Sequence, residues 1–153
     1  MSTIVLDIKH NTHVAKVTLK AVPDKPGIAG LLFSTLGEHG FNIELIAQSS
    51  AGRKRVDISF VISEGDLDAV LKLLSAIKMK FAARQIVVDQ DVALIAVYGR
   101  KLPQTPGIAG RVFSILADRR INIDAISASL TVISCVIRKD KVNQAVEVLK
   151  KEL

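Results

Sequence analysis

The chain has 153 residues, of which 49% are hydrophobic and 24% charged, with a formal net charge of +6. This composition is typical of a folded globular protein and excludes a disordered chain, while so moderate a charge favours a solvated basic surface over nucleic-acid binding. A single cysteine excludes an internal disulfide, and the N-terminus lacks an apolar signal core, so we expect a cytoplasmic protein without membrane contact.

Hydrophobic periodicity predicts an alternation of strands and helices along the first half of the chain. Alternating apolar positions indicate strands, and apolar positions three or four residues apart indicate helices. We expect Pro26 in the first helical turn and Gly40 just after the end of that helix. The expected elements, in chain order, are Ala15–Val22, Pro26–His39, Glu44–Ser50, Arg55–Ser63, Asp66–Lys78 and Gln85–Asp89.

The same pattern recurs in the second half of the chain. The string PGIAG occurs at 26–30 and 106–110, and Asn-Ile-acid follows at 42–44 and 122–124, with a constant offset of 80 residues. A repeat of this length predicts two copies of one small domain. The second copy has five residues fewer in its middle turn. Its expected elements are Val92–Tyr98, Pro106–Arg119, Asp124–Leu130, Thr131–Ile137 and Lys141–Glu152.

The second copy ends after its second helix and therefore lacks a counterpart of the last strand, Gln85–Asp89. Ile4–His10 is strand-like and belongs to no element of the first copy, so we expect it to fill this vacancy. The first module is then an insertion in the second. The expected domains are 14–90, and 91–153 together with the N-terminal strand 3–12.

The loop-to-helix junction at PGIAG has the chemistry of an anion site. A helix N-terminus presents unpaired amides, so a carboxylate could accept from Gly27, Ile28 and Ala29. Asp24 could accept from an ammonium, and together these groups describe a receptor for an α-amino acid. A plain reading stays open, in which Asp24 and Pro26 serve only to cap and start the helix.

These motifs resemble those of ACT domains. The tandem arrangement, the string Asp24-Lys25-Pro26-Gly27 and the segment 122–129 are similar to the regulatory region of aspartokinases, and most of all to their separate regulatory (beta) subunit. The resemblance implies an α+β fold of two ferredoxin-like βαββαβ domains, each an antiparallel sheet with helices on one face. It also implies a regulator that binds an amino acid such as lysine or threonine.

The resemblance extends to partners and to further site residues. It implies a homodimer and regulation of an aspartokinase catalytic chain or a related biosynthetic enzyme; because no kinase domain is recognisable, we expect no catalysis and no cofactor. The implied pocket also includes Asn42, Ile43 and Gln48, with Asn122 and Ile123 from the other module. Asp24 and Gln48 align with Gln104 and Ala128, so we expect the first copy to bind the ligand.

Two alternative functions remain open at this stage. The βαββαβ order and the basic charge suggest an RNA-binding protein, although only Phe60 and Tyr98 could stack on bases. A small enzyme of the acylphosphatase type shares the topology, but no phosphate-cradling loop is recognisable. We expect no metal site from His10 and His13, and a buried, inert thiol at Cys135.

Overall fold

The computed structural model of the protein describes residues 6–153, which form two compact units. The first unit is His13–Gln90, and the second unit joins the described residues up to Thr12 with Asp91–Leu153. Among the described residues, no helix combines the length and apolarity needed to cross a membrane.

In the part of the chain that the structure describes, each unit contains one antiparallel four-stranded sheet and two α-helices. The sheet of the first unit has the strand order β3-β4-β2-β5, and that of the second has the order β1-β6-β8-β7. The elements are β1 (Asp7–Asn11), β2 (Val14–Pro23), α1 (Ile28–Glu38), β3 (Leu45–Gly52), β4 (Arg55–Ser63), α2 (Leu67–Phe81), β5 (Gln85–Asp89), β6 (Val92–Tyr98), α3 (Ile108–Asp118), β7 (Ile123–Ala128), β8 (Val132–Arg138) and α4 (Val142–Glu152).

The core of the first unit lies between one face of its sheet and the two helices. Alternate residues of the central strands β2 and β4 point into this core, as the period of two in a strand requires. Phe60 at its centre is fully buried, and its ring meets Phe33 of α1 edge to face at 5.7 Å between centroids. The helices contribute apolar stripes that include Leu32, Leu36, Val70 and Leu74. The fold class is therefore the one the sequence predicts, α+β with helices on one sheet face.

The second unit repeats this architecture with its N-terminal strand as the fourth strand. β1 pairs with β6 antiparallel, from Asp7 opposite Tyr98 to Asn11 opposite Leu94. This is the place in the sheet that β5 takes beside β2 in the first unit. Of the strand expected at Ile4–His10, the residues before Leu6 lie outside the described residues, and the observed strand runs on to Asn11.

Both repeated helices begin two residues later than predicted. Pro26 lies in a turn, and Gly27 has a φ of +94°, so the helical conformation starts only at Ile28. The expectation that Pro26 occupies the first helical turn is therefore wrong, because a residue with positive φ interrupts the helix after it. The C-terminal end of α2 also differs from the prediction. This helix continues beyond Lys78 to Phe81, whose side chain is buried in the core.

The helices α1 and α3 end in the same backbone motif on different residues. The Phe41 amide donates to the Leu36 carbonyl at 3.1 Å, and Gly40 takes a φ of +81°, as expected for a residue just after a helix. In the second unit Arg120 stands at the matching position with a φ of +56°. Any residue with a Cβ is strained there, so the two copies differ in the stability of this turn.

This difference gives a first prediction. Gly40→Ala is expected to lower the free energy of unfolding by about 1–2 kcal/mol, because alanine must adopt a left-handed conformation. Arg120→Gly is expected to raise it by about 0.5 kcal/mol, since relief of strain exceeds the added chain entropy. Gly37→Ala is the control, because Gly37 lies inside α1 with open space around it. Urea unfolding measures all three, and equal losses in Gly40→Ala and Gly37→Ala would contradict the assignment.

The hairpin between β3 and β4 carries a further strained turn. Its two central residues, Arg53 and Lys54, have φ values of +49° and +59°. Two consecutive positive φ values are the pattern of a type I′ turn, for which Asn-Gly is the favoured sequence. Side chains with a Cβ cost roughly 1–2 kcal/mol each in this region. In the second unit the corresponding hairpin has shorter strands, and its turn is closed by the Ser129 amide, which donates to the Val132 carbonyl at 2.8 Å.

Candidate functional site

The loop between β2 and α1 carries the residues with the chemistry of an amino-acid receptor. The Asp24 amide donates to the Lys54 carbonyl at 2.9 Å, and the Lys25 amide donates to the Pro23 carbonyl at 3.1 Å. The first bond holds the loop against the β3–β4 hairpin, and the second closes a turn at the start of the loop. The Asp24 side chain is exposed and forms no hydrogen bond or ion pair with any described residue.

The N-terminus of α1 is left open by the side chains around it. Gly27 is the cap residue, no side chain among the described residues bonds to the first-turn amides, and no acidic residue lies in the first turn. The plain reading in which Asp24 only caps this helix is therefore wrong. The positive φ at position 27 is what requires a glycine there. Crowding does not, because an added Cβ would meet no other group within 4 Å among the described residues. The open amides of Ile28 and Ala29 remain available to an anion.

A bulge in β2 places this loop, and Asp57 holds the bulge. Ala21 takes a φ of +54° where the register between β2 and β4 shifts. The Asp57 carboxylate accepts from the Ala21 amide at 2.8 Å and from Lys20 Nζ at 2.7 Å. These bonds, that from Lys20 first, hold the pKa of Asp57 below its ordinary value. Arg55 Nη1 donates to the Ala21 carbonyl at 2.9 Å and closes the bulge from the other side.

Asp57 is a residue that the sequence reading missed, and it gives a second prediction. Asp57→Ala is expected to lower the free energy of unfolding by about 1–3 kcal/mol, because the Ala21 amide and Lys20 lose their acceptor. Asp57→Asn keeps an acceptor oxygen and is expected to lose less. The folded pKa lies below the unfolded value, so this stability is present above about pH 4 and is lost as the pH falls through the folded pKa. Urea unfolding at neutral and acidic pH measures both effects. If Asp57→Asn lost as much stability on acidification as the unchanged protein, the assigned role of the Asp57 carboxylate would be contradicted.

The other expected pocket residues of the first unit lie elsewhere. Asn42 and Ile43 follow α1, and β3 then begins at Leu45 opposite Val61, at the end of the sheet where β2 starts. The 11 residues of α1 separate this end from Gly27 by about 15 Å of helix. Asn42 is exposed, whereas Ile43 packs against the core. One unit alone therefore does not bring Asn42 and Ile43 to the Gly27 amides.

Gln48 lies between these two ends on the edge strand β3. It stands opposite Ile58, so its side chain is on the helix-bearing face of the sheet, where it is exposed. In the second unit Asn122 precedes β7 and is exposed, and Ile123 begins β7 and packs against that unit's core. These positions agree with the repeat of the sequence.

The second copy of the junction has the same backbone and different side chains. Gly107 has a φ of +90° and precedes α3, which also lacks a side-chain cap. Gln104 replaces Asp24 and ends a short 3-10 turn, after which Thr105 Oγ1 donates to the Lys101 carbonyl at 2.8 Å. The second copy thus offers open amides without a carboxylate for an ammonium.

The remaining candidates are part of the fold. Burial raises the pKa of the Cys135 thiol to about 11, so it stays protonated and inert at neutral pH. Phe60 is buried under the helices, which removes it from any base-stacking platform. Tyr98 is 42% exposed, with Lys9 Nζ 5.6 Å from its ring centroid.

Known proteins match both units. Two family models, each described as an ACT domain, match residues 17–78 and 95–153. An aspartate kinase of Stutzerimonas stutzeri is 30% identical over 146 residues, which are 95% of this chain and 35% of that relative. A chain from the crystal structure of aspartokinase alpha and beta subunits is 28% identical, with a TM-score of 0.88 and 97% of each chain covered. The ligand-free regulatory subunit of Thermus thermophilus aspartate kinase has a TM-score of 0.89 at 23% identity, with 98% of each chain covered.

The chain belongs to the ACT-domain family and carries one ACT domain in each unit. The two are regulatory ACT domains of the aspartokinase-like kind. The chain spans about a third of the length of the curated aspartokinases it matches, 35% for the Stutzerimonas stutzeri protein.

Proposed function

We propose that this chain is a non-catalytic regulatory protein that binds a free amino acid, lysine or threonine first among them. The proposal rests above all on the open N-terminus of α1 beside the exposed Asp24 carboxylate. The amino acid's carboxylate accepts from the amides of Gly27, Ile28 and Ala29, where the helix dipole also favours a negative charge. Its ammonium is bound by Asp24 through a charge-assisted hydrogen bond.

We propose further that a second chain completes the pocket. Asn42 and Ile43 lie at the other end of the first unit from Gly27. We therefore propose that first and second modules from different chains pair, and that Asn122 and Ile123 of the other module also contribute to the pocket. Exposed isoleucines on the edge strands support such pairing: Ile46 of β3 is 48% exposed and Ile126, its counterpart on β7, is 47% exposed. Exposed edges with apolar side chains are sites of association. A homodimer is the simplest assembly that covers them.

The proposed ACT modules are 14–90, and 91–153 together with 3–12, of which residues 3–5 lie outside the described residues. The proposed partner is an aspartokinase catalytic chain, or a related enzyme of amino-acid biosynthesis in the cytoplasm. A chain of nearly the same extent occurs in the structure of aspartokinase alpha and beta subunits, which supports this assignment. Effector and partner then bind with mutual coupling, because each must change the other's affinity by the same factor.

A thermal-shift screen over the twenty free amino acids tests this function. A ligand that binds only the folded chain raises the melting temperature, and at a concentration of about 100 times Kd it adds roughly 2.7 kcal/mol of stability. We expect a shift with lysine or threonine, and a larger one when both are present if each fills its own site. Titration of the amino acid with and without purified aspartokinase catalytic chain then tests the coupling. No shift with any amino acid at millimolar concentration would contradict the sensor.

A further inference from the structure

The end of the first unit that carries the β2–α1 loop is strongly cationic. Three hydrogen bonds bring its segments together: the Asp24 amide donates to the Lys54 carbonyl at 2.9 Å, and Arg55 donates to the carbonyls of Ala21 and Ala82. Loop, hairpin and the end of α2 therefore share one end of the sheet. Their exposed cations form what we call the basic end: Lys25, Arg53, Lys54, Lys80 and Arg84.

The charge of the basic end is not compensated within the unit. None of its five side chains forms an ion pair or hydrogen bond with another described residue. Of the carboxylates in the segments that meet here, Asp57 is bound to Lys20 at 2.7 Å, which leaves only Asp24. Like charges brought together at a surface repel each other and lower stability. Such a cluster therefore favours an anionic partner.

The hairpin turn also carries cations at positions where they lower the stability of the fold. Arg53 and Lys54 occupy a turn in which Asn-Gly would be less strained. The second repeat provides an internal comparison, since its hairpin turn carries Ser129, Leu130 and Thr131 and no charge. The extra cations thus belong to one repeat only, and they lie on a local conformation that disfavours them. Strain of this kind is typical of positions kept for an interaction.

The surroundings favour a protein partner. Phe81 is 1% exposed, so the end of α2 offers no aromatic face on which bases could stack. Met79, in the last turn of α2 beside Lys80, is 91% exposed and presents a flexible apolar side chain. Met and Arg are both enriched in protein–protein interfaces, and the segments of the basic end carry Met79 together with Arg53 and Arg84. We propose that the basic end is a docking surface for an acidic segment of a protein partner, whichever amino acid the chain binds.

The test measures binding of the full chain to a fluorescein-labelled peptide of glutamates interspersed with leucines. Fluorescence anisotropy reports the affinity at low and at physiological ionic strength. The double variant Arg53→Asn with Lys54→Gly is expected to weaken binding at least about fivefold. The same variant relieves the strained turn, so its urea midpoint is expected to rise, and the weaker binding then cannot result from unfolding.

The matched control is Arg100→Gln with Lys101→Gln, which removes the same charge from the loop between β6 and α3 of the second unit. Its affinity for the peptide is expected to change less than about twofold. Equal weakening in the two double variants would overturn the proposal, because the peptide would then respond only to net charge. Unchanged binding in the Arg53/Lys54 variant, or tighter binding of a single-stranded oligonucleotide of equal charge, would overturn it as well.

Discussion

Replacement of Phe60 by alanine is expected to lower the free energy of unfolding of the first unit by about 3–5 kcal/mol. The side chain is fully buried at the centre of the sheet, and its ring contacts Phe33 at 5.7 Å. The substitution leaves a cavity that two helices and a sheet cannot close, and it removes the aromatic contact. Urea unfolding measures the loss, and hydrogen exchange assigns it to β2, β4 and α1.

The second repeat provides the control for this prediction. Cys135 stands at the position of Phe60 on the matching strand and is 2% exposed. Cys135→Ala removes much less volume and is expected to cost roughly 1 kcal/mol. Similar losses in the two variants would mean that the cavity at Phe60 collapses, contrary to the expectation that the sheet and the two helices keep it open.

Replacement of Asp24 by alanine is expected to weaken amino-acid binding by about tenfold or more. Loss of a hydrogen bond to a charged group costs roughly 1.5–3 kcal/mol, and here the ligand's ammonium loses its only carboxylate in the loop. Gln104→Ala, the same change in the second copy, is expected to leave the affinity unchanged. Isothermal titration calorimetry with the amino acid that gives the largest thermal shift measures both.

Folding provides an independent check on this second prediction. The Asp24 side chain is exposed and has no partner among the described residues, so Asp24→Ala is expected to keep the melting temperature of the free protein. A loss of affinity then reports on the ligand contact alone. Equal losses of affinity in Asp24→Ala and Gln104→Ala would mean that the ligand does not bind preferentially at the first junction.

Much of the fold follows from local pattern in the sequence. The expected strands Arg55–Ser63, Gln85–Asp89 and Val92–Tyr98 have the observed bounds, because each is a short segment with apolar residues in alternation or in a continuous run, and polar or turn residues flank it. The start of α1 was misplaced because Pro-Gly is compatible with a helical first turn, whereas Gly27 adopts a positive φ. Periodicity does not report the sign of φ at a single glycine.

The candidate site was less predictable because it depends on three-dimensional placement. The family resemblance implies that Asn42 and Gly27 belong to one pocket, yet α1 separates them to opposite ends of the unit. Asp57 was missed because an acid in the middle of a strand carries no motif; it gains its role only when the bulge at Ala21 brings an amide to it. A bulge is a feature of two paired strands and is not written in either alone.

The most direct test of the account is a titration of the isotopically labelled chain with the amino acid, followed by the backbone amide signals in heteronuclear NMR. We predict saturable shifts of the Gly27, Ile28 and Ala29 amides, since these are the donors to the ligand carboxylate, with smaller changes at Gly107. Asp24→Ala is expected to move the midpoint of these shifts to higher concentration. The absence of saturable shifts at Gly27–Ala29 for every one of the twenty amino acids at millimolar concentration would contradict the claim that this helix N-terminus is the receptor.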